Sequence, residues 1–272
     1  MSYISHVLAT RPANLLAYWP LNETAGSIAD NAEGTAVRDG TYTNIDLNQV
    51  AGPDGQPAGY WDGSNDYVDI YSASLAGVWD GDLYTISLWI KVDSSSVWTD
   101  STLRHFCNFY ANGNNLTFIR KNPTNNQVEF YRIGGGAGGT QVLLNSVSDT
   151  GWLHFVITAD QASNEFKAYY NGSQTGTTQT GLNSWAASLD SSGTVIGAEL
   201  TIPSAVWNGY IAHAAVWDVA LTDSEIAQLY IASTYSDTQD SSSTEASGIT
   251  TTTTTYLRIY TNTNYETVVV MG

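Results

Sequence analysis

Residues 207–230, WNGYIAHAAVWDVALTDSEIAQLY, decide the fold. From 210 to 217 the residues alternate as in a strand. Ala212, Ala214 and Val216 share one face, and Ile211, His213 and Trp217 the other. The period then changes. Leu221, Ile226, Leu229 and Tyr230 fall at helical spacing, with Thr222 placed as N-cap and Glu225 three residues on, a capping box. A buried closing strand that hands over to a helix of one or two turns is a latch for a sheet sandwich. The chain before it must therefore supply sheet.

It does so in short, polar-punctuated runs. LLAYWPLNETAG opens a first strand near residue 15, with Pro20 marking its end or an edge. YWDGSNDYVDI, residues 60–70, reads as a hairpin about a DGSN turn. LYTISLWIKV, residues 83–92, alternates cleanly with Ile86, Leu88 and Ile90 on one face. LRHFCNFY, NLTFIRK, QVEFYRI and TQVLLN follow between polar turns. GWLHFVITAD, EFKAYYNGSQTG and TVIGAEL complete the set, the second carrying an Asn-Gly turn. The loop GGGAGG, 134–139, lacks the Gly-Lys-Ser/Thr of a phosphate-binding loop and reads as a flexible connection between strands.

The ordered set, from the Tyr-Trp-x-Leu-x-Glu entry to the Ala-Leu-Thr-Asp-x-Glu-Ile ending, resembles a laminin-G-like domain of the concanavalin A-like superfamily. The likeness covers about residues 15–231. It implies an all-β fold: a concanavalin A-like, laminin-G-like β-sandwich jelly roll, with a short C-terminal helix and an additional C-terminal β segment. The expected organisation is an N-terminal arm or short helix over 1–13, the jelly roll over 14–232, a Ser/Thr-rich linker over 233–255 and a β-hairpin or strand tail over 256–272.

Composition bounds the function. The chain has 272 residues with 9 Trp and 17 Tyr, and a net charge of −17, so a nucleic-acid partner is not expected. Cys107, the sole cysteine, sits in an apolar run and reads as a small buried hydrophobe. The first residues lack the basic start and continuous apolar core of an export signal. No apolar run approaches the roughly 20 residues that span a bilayer, so membrane insertion is not expected.

Glycanases occur on the resembled fold. Their Glu-x-Asp-x-x-Glu strand is absent. Asp66 and Asp69 fall on opposite faces of a strand, and Glu129 and Glu165 stand alone on theirs. His6, His105, His154 and His213 have no triad or metal spacing and read as structural. The expectation is a protein without enzymatic activity.

Two kinds of binding site remain open. Trp98, Tyr110 and Tyr131 lie beside Asn-rich loops and are candidate sugar-stacking rings, against the reading that they pack in the core. Trp185 and Trp207 are weaker candidates. In the loop after the first strand, Asp30 and Asp39 are turn residues or calcium ligands. Against calcium, the resembled family often carries Ile-Asp where this chain has Ile211-Ala212.

The tail has strand character at YLRIY and TVVVM. An isolated hairpin is marginal in water, so Tyr256, Leu257, Ile259, Val268, Val269 and Val270 are expected to meet a partner, another chain or a second copy. The opening also resembles phage-encoded laminin-G-like proteins. The first expectation is thus a structural component of a bacteriophage virion, a capsid decoration or tail-associated protein on the virion surface. The alternative is a carbohydrate-binding adhesin that recognises surface glycans.

Overall fold

A computed structural model describes residues 2–136, 138–234, 257–261 and 267–271. Two antiparallel eight-stranded sheets face one another. The first runs in the order β14 (Ser173–Gln179), β13 (Glu165–Tyr170), β12 (Leu153–Asp160), β7 (Leu83–Lys91), β16 (Asn208–Trp217), β5 (Pro57–Asp62) and β4 (Asp46–Ala51), with β1 (Leu15–Trp19) also paired to β16. The second runs β11 (Thr140–Leu144), β10 (Val128–Ile133), β9 (Asn115–Lys121), β8 (Arg104–Asn112), β15 (Val195–Ile196), β6 (Tyr67–Asp69), β3 (Gly40–Thr43) and β2 (Ile28–Ala29). The closing strand β16 is central in the first sheet, gripped between β7 and both β5 and β1.

The space between the sheets is filled by aromatic and branched side chains, as sheet packing requires. Phe106 of the second sheet meets Phe155 of the first at 5.3 Å between ring centres, and stands edge-on to Trp207 at 4.7 Å. Trp19, Trp61, Ile86 and Ile157 belong to the same buried cluster.

A second cluster covers the outer face of the first sheet, under two helices: α1 (Tyr3–Ala9) and α4 (Asp223–Thr234). The N-terminal segment therefore packs as part of the sandwich. Tyr3 and Val7 are buried, and the Tyr3 hydroxyl accepts a hydrogen bond from Trp89 Nε1 at 2.8 Å. The closing helix has its capping box. Glu225 accepts from the backbone N–H of Thr222 at 2.8 Å, and the Thr222 hydroxyl accepts from the Glu225 N–H at 3.3 Å. It runs for 12 residues, longer than the one or two turns expected, because Ile226 and Leu229 are held in the outer cluster. Its last turn takes in Ser233 and Thr234, the first two positions of the expected linker.

Strict alternation fails at one place in β16. The pairing with β7 slips between Ala212 and Ala215, and His213 takes φ 53°. This bulge resets the phase, so Ile211, Ala214 and Val216 face the inter-sheet core while Ala212, Ala215 and Trp217 face the outer cluster. The expected grouping of Ala212 with Ala214 and Val216 is corrected accordingly. The bulged His213 is buried and bonded on both ring nitrogens: Nδ1 lies 2.7 Å from the Tyr18 hydroxyl and Nε2 3.1 Å from Asp54. Asp54 arrives from the turn between β4 and β5. Burial alone would raise its pKa, but the hydrogen bond and charge of His213, with backbone N–H groups, bring it below the usual carboxylate value.

Among the described residues, strands β17 (Leu257–Thr261) and β18 (Thr267–Met271) pair with each other, with Ile259 opposite Val269 and Tyr260 opposite Val268. Tyr256 and most of the expected linker lie outside the described residues.

Candidate functional site

Strands β8, β9 and β10 turn Phe106, Phe109, Ile119 and Phe130 into the core. Their alternate residues form an outward face, where Tyr110 pairs with Leu116, and Phe118 pairs with Asn108 on one side and Tyr131 on the other. A bulge between His105 and Cys107 lets Phe106 and Cys107 both point inward, leaving His105 and Asn108 on the outward side. The burial expected of Cys107 follows from this geometry. The loop after β15, carrying Glu199 and Leu200, folds over this face and closes a cavity of about 360 Å³.

The cavity walls are aromatic. Tyr131 stacks on Phe118, with centres 4.9 Å apart and planes 15° from parallel. Arg120 lies over the other part of the Phe118 ring at 4.2 Å, while its guanidinium holds Glu129 at 2.7 Å. His105 tilts against Phe118 at 4.9 Å.

The floor is polar and unsatisfied. Both ring nitrogens of His105 and the Oδ1 of Asn108 are buried with no protein partner, while Asn108 Nδ2 donates to the Glu199 carbonyl at 2.7 Å. Burial, with the Arg120 charge added, lowers the His105 pKa to about 3, so the ring is neutral and offers one donor and one acceptor. A buried polar atom without a partner costs about 1–3 kcal/mol, and such atoms are few in native proteins. Three such atoms belong to His105 and Asn108, two residues that line this aromatic-walled cavity.

Of the three rings expected to stack on sugar, Tyr110 and Tyr131 line this cavity. Trp98 does not. It lies on α3 (Ser96–Thr99), is fully buried against Trp207 and donates Nε1 to the Asp149 carbonyl at 2.8 Å. It is a core ring, as are Trp185 and Trp207. The residues not foreseen are His105, Asn108, Phe118, Arg120 and Glu199. Alternation sets Asn108 and Tyr110 in LRHFCNFY, and Phe118 and Arg120 in NLTFIRK, apart from their inward neighbours, whereas His105 joins that face only through the bulge.

Two glycines of the glycine-rich loop are held by hydrogen bonds. Gly135 N–H donates to Asn115 Oδ1 and Gly136 N–H to the Asn114 carbonyl, both at 3.0 Å. A β-carbon at Gly139 would overlap the Tyr131 ring, and one at Gly193 would press on Tyr110 at 2.8 Å. Glycines thus back both cavity tyrosines.

A second cavity, of about 410 Å³, lies on the far side of the same loop, lined by Ser64, Thr102, Arg104, Glu199 and residues 203–206. Glu199 lines both.

The loop that carries Asp30 and Asp39 is tied by bonds between backbone and side chain. Asp39 accepts the Asn31 N–H at 2.9 Å, and the Asp30 N–H is bonded to Glu23 at 2.8 Å. Among the described residues no three His, Cys, Asp or Glu groups converge as metal ligands. Asp66, in the turn after β5, is buried and accepts the Asp62 N–H at 2.5 Å; burial raises its pKa to about 6. Among the described residues no helix is long and apolar enough to cross a membrane.

Comparison with known proteins bears on this geometry. The Laminin_G_3 family model, described as the concanavalin A-like lectin/glucanases superfamily, matches residues 31–227. No curated protein sequence matches the chain. Among solved structures, the botulinum neurotoxin serotype D binding domain aligns with a TM-score of 0.57 at 16% identity, covering 80% of this chain and 51% of that one. The receptor binding domain of the botulinum neurotoxin C/D mosaic serotype aligns with a TM-score of 0.61 at 13% identity, covering 80% and 51%. This chain thus spans about half the length of those toxin domains. Domain 4 of AbnA, an extracellular GH43 arabinanase from Geobacillus stearothermophilus solved with arabinotriose, aligns with a TM-score of 0.55 at 17% identity, covering 80% and 98%. At these identities the likeness is one of fold.

Proposed function

From the premise that this chain belongs to the concanavalin A-like lectin/glucanases superfamily, we propose that it is a non-enzymatic carbohydrate-binding module whose site is the cavity on the outward face of β8, β9 and β10. The observation that carries this reading is the set of unpartnered polar atoms, His105 Nδ1 and Nε2 and Asn108 Oδ1, in residues that line one cavity with the Tyr110 and Tyr131 rings. A sugar has hydroxyls that both donate and accept, and an apolar ring face that packs on an aromatic ring. It would satisfy the floor and cover the walls together. The fold-level likeness to a domain solved with arabinotriose is consistent with the idea. No catalytic carboxylate pair is needed: Glu199, the acidic residue of the cavity lining, accepts the Ser204 hydroxyl, and Glu129, outside the lining, is held by Arg120.

The test is a glycan array followed by titration calorimetry on the full chain. At least one saccharide binds in the micromolar to millimolar range, and Tyr131→Ala or Asn108→Ala weakens it at least about tenfold, the loss of one good contact. An array without binders, or binding unmoved by both variants, rejects the site.

A second reading, of assembly, is favoured by the separate β17–β18 hairpin. A two-stranded sheet is marginal alone, and its edges pair readily with another chain. In this reading the module is a bacteriophage virion component, a capsid decoration or tail-associated protein, joined to other virion proteins or to its own copies through the hairpin. Light scattering on the full chain and on a chain ending at Thr234 tests it. A defined oligomer that becomes a folded monomer on truncation supports assembly by the tail; truncation that unfolds the sandwich refutes it.

A further inference from the structure

We infer that the two cavities flanking Glu199 are adjoining subsites of one groove, so that the protein takes a chain of at least two neutral sugar residues rather than a single sugar. This rests on the glycan reading of the first cavity and extends it to ligand length and charge.

One residue forms the shared wall, and it is pinned from three directions. The Glu199 carbonyl accepts from Asn108 at 2.7 Å, its N–H donates to the Ser204 carbonyl at 2.9 Å, and its carboxylate accepts the Ser204 hydroxyl at 3.1 Å. The loop is further tied to β8, where the His105 N–H donates to the Ala205 carbonyl at 2.7 Å. Glu199 thus borders two spaces, one of about 360 Å³ and one of about 410 Å³. Each is at the small end of ligand-pocket sizes, about 300–1,000 Å³. Each suits one sugar ring, and a linked pair can pass over Glu199.

The charges at the groove choose the sugar. Arg120 is committed to Glu129 at 2.7 Å, and Arg104 to Asp100 at 2.8 Å and to the Val206 carbonyl at 2.9 Å. Neither guanidinium is left to pair with a carboxylate on a ligand. Glu199 faces both cavities with only a hydroxyl on its carboxylate. The chain's net charge of −17 adds long-range repulsion of anions. Uronic and sialic acids would place a carboxylate where no cation is available, so the class selected is the neutral saccharide.

Titration calorimetry on the full chain, with neutral arabino-, xylo- and gluco-saccharides of one to four residues, tests this. Affinity is expected to rise at least about tenfold from one residue to two, an ordinary gain for one more good contact set. Hexuronate oligomers of the same lengths are expected to bind at least about tenfold more weakly. Thr102→Trp and Ser64→Trp each fill the second cavity from an exposed position, leaving the first untouched. They should abolish the gain in affinity from the second residue.

Equal affinity for one residue and two, or a gain that survives both tryptophan variants, overturns the two-subsite groove while the glycan reading stands. Hexuronates binding as tightly as neutral chains overturns the charge selection. Absence of binding by every saccharide tested rejects the glycan reading, and the groove with it.

Discussion

Gly139 packs against the ring of Tyr131 so closely that a β-carbon there would overlap the phenol. The ring is thus held between a bare backbone and Phe118, on which it stacks. Gly139→Ala is expected to tilt Tyr131 and weaken saccharide binding at least about tenfold, with a stability change below about 1 kcal/mol because Gly139 is exposed. Calorimetry and thermal unfolding read the two effects separately. Undiminished binding would show that Tyr131 is positioned some other way.

The two fully buried histidines His105 and His154 set the acid limit of stability. Burial lowers each pKa to about 3, reinforced by Arg120 at His105 and by His213 at His154. A folded-state value below the unfolded one gives stability that is present above about pH 6.5 and lost as pH falls toward the folded value. Tm should therefore decline steadily from about pH 6.5 downward, and a His105→Gln variant should decline less steeply. Because His105 remains neutral in the fold, saccharide affinity should stay flat between about pH 5 and 8. A binding curve with an inflection near 6.5 would contradict a neutral His105 at the cavity floor.

Asp66 behaves in the opposite sense. Its pKa is raised to about 6 by burial, countered by the Asp62 N–H and raised further by the Asp62 carboxylate. The stability tied to its protonated form is present below the usual aspartate value of about 3.9 and lost as pH rises through about 6. Asp66→Asn should accordingly raise the urea midpoint at neutral pH, with the gain shrinking below about pH 4. A lower midpoint at neutral pH would mean that the charged carboxylate is what the turn requires.

Removing Asp54 isolates the buried His213. Its Nε2 would lose its partner at 3.1 Å, and a buried group left unpaired costs about 1–3 kcal/mol. Asp54→Ala is expected to destabilise by that amount in urea, and Tyr18→Phe, which leaves Nδ1 unpaired, by about 1 kcal/mol. No shift in either midpoint would reduce the network to a contact without energetic weight.

The jelly roll was legible because strand alternation, Asn-Gly and Asp-Gly turns and the Thr222–Glu225 capping box are local signals, each written within a few residues. The bulge at His213 was not. Its cause is a partner, Asp54, brought from more than 150 positions away in the chain by the β4–β5 turn. The site was half legible. Tyr110 and Tyr131 were found from their polar neighbours, which tend to flank open surface. Trp98 shares those neighbours, yet the short helix at Ser96–Thr99 swings its ring inward, and nothing in SVWT announces that turn. His105 has no chemical partner near it in the sequence. Its setting is made by β9 and by the 199–206 loop, elements that only the folded sandwich brings together.

Helices α1 and α4 share the outer face of the first sheet, joined there by Arg11 and Glu225 at 2.5 Å. The cavity opens on the outer face of the second sheet. The sandwich is therefore polarised like a plug and socket mounted back to back. Whatever is attached beside Tyr3 or Thr234 lies on one side of the sandwich, and the cavity faces away from it.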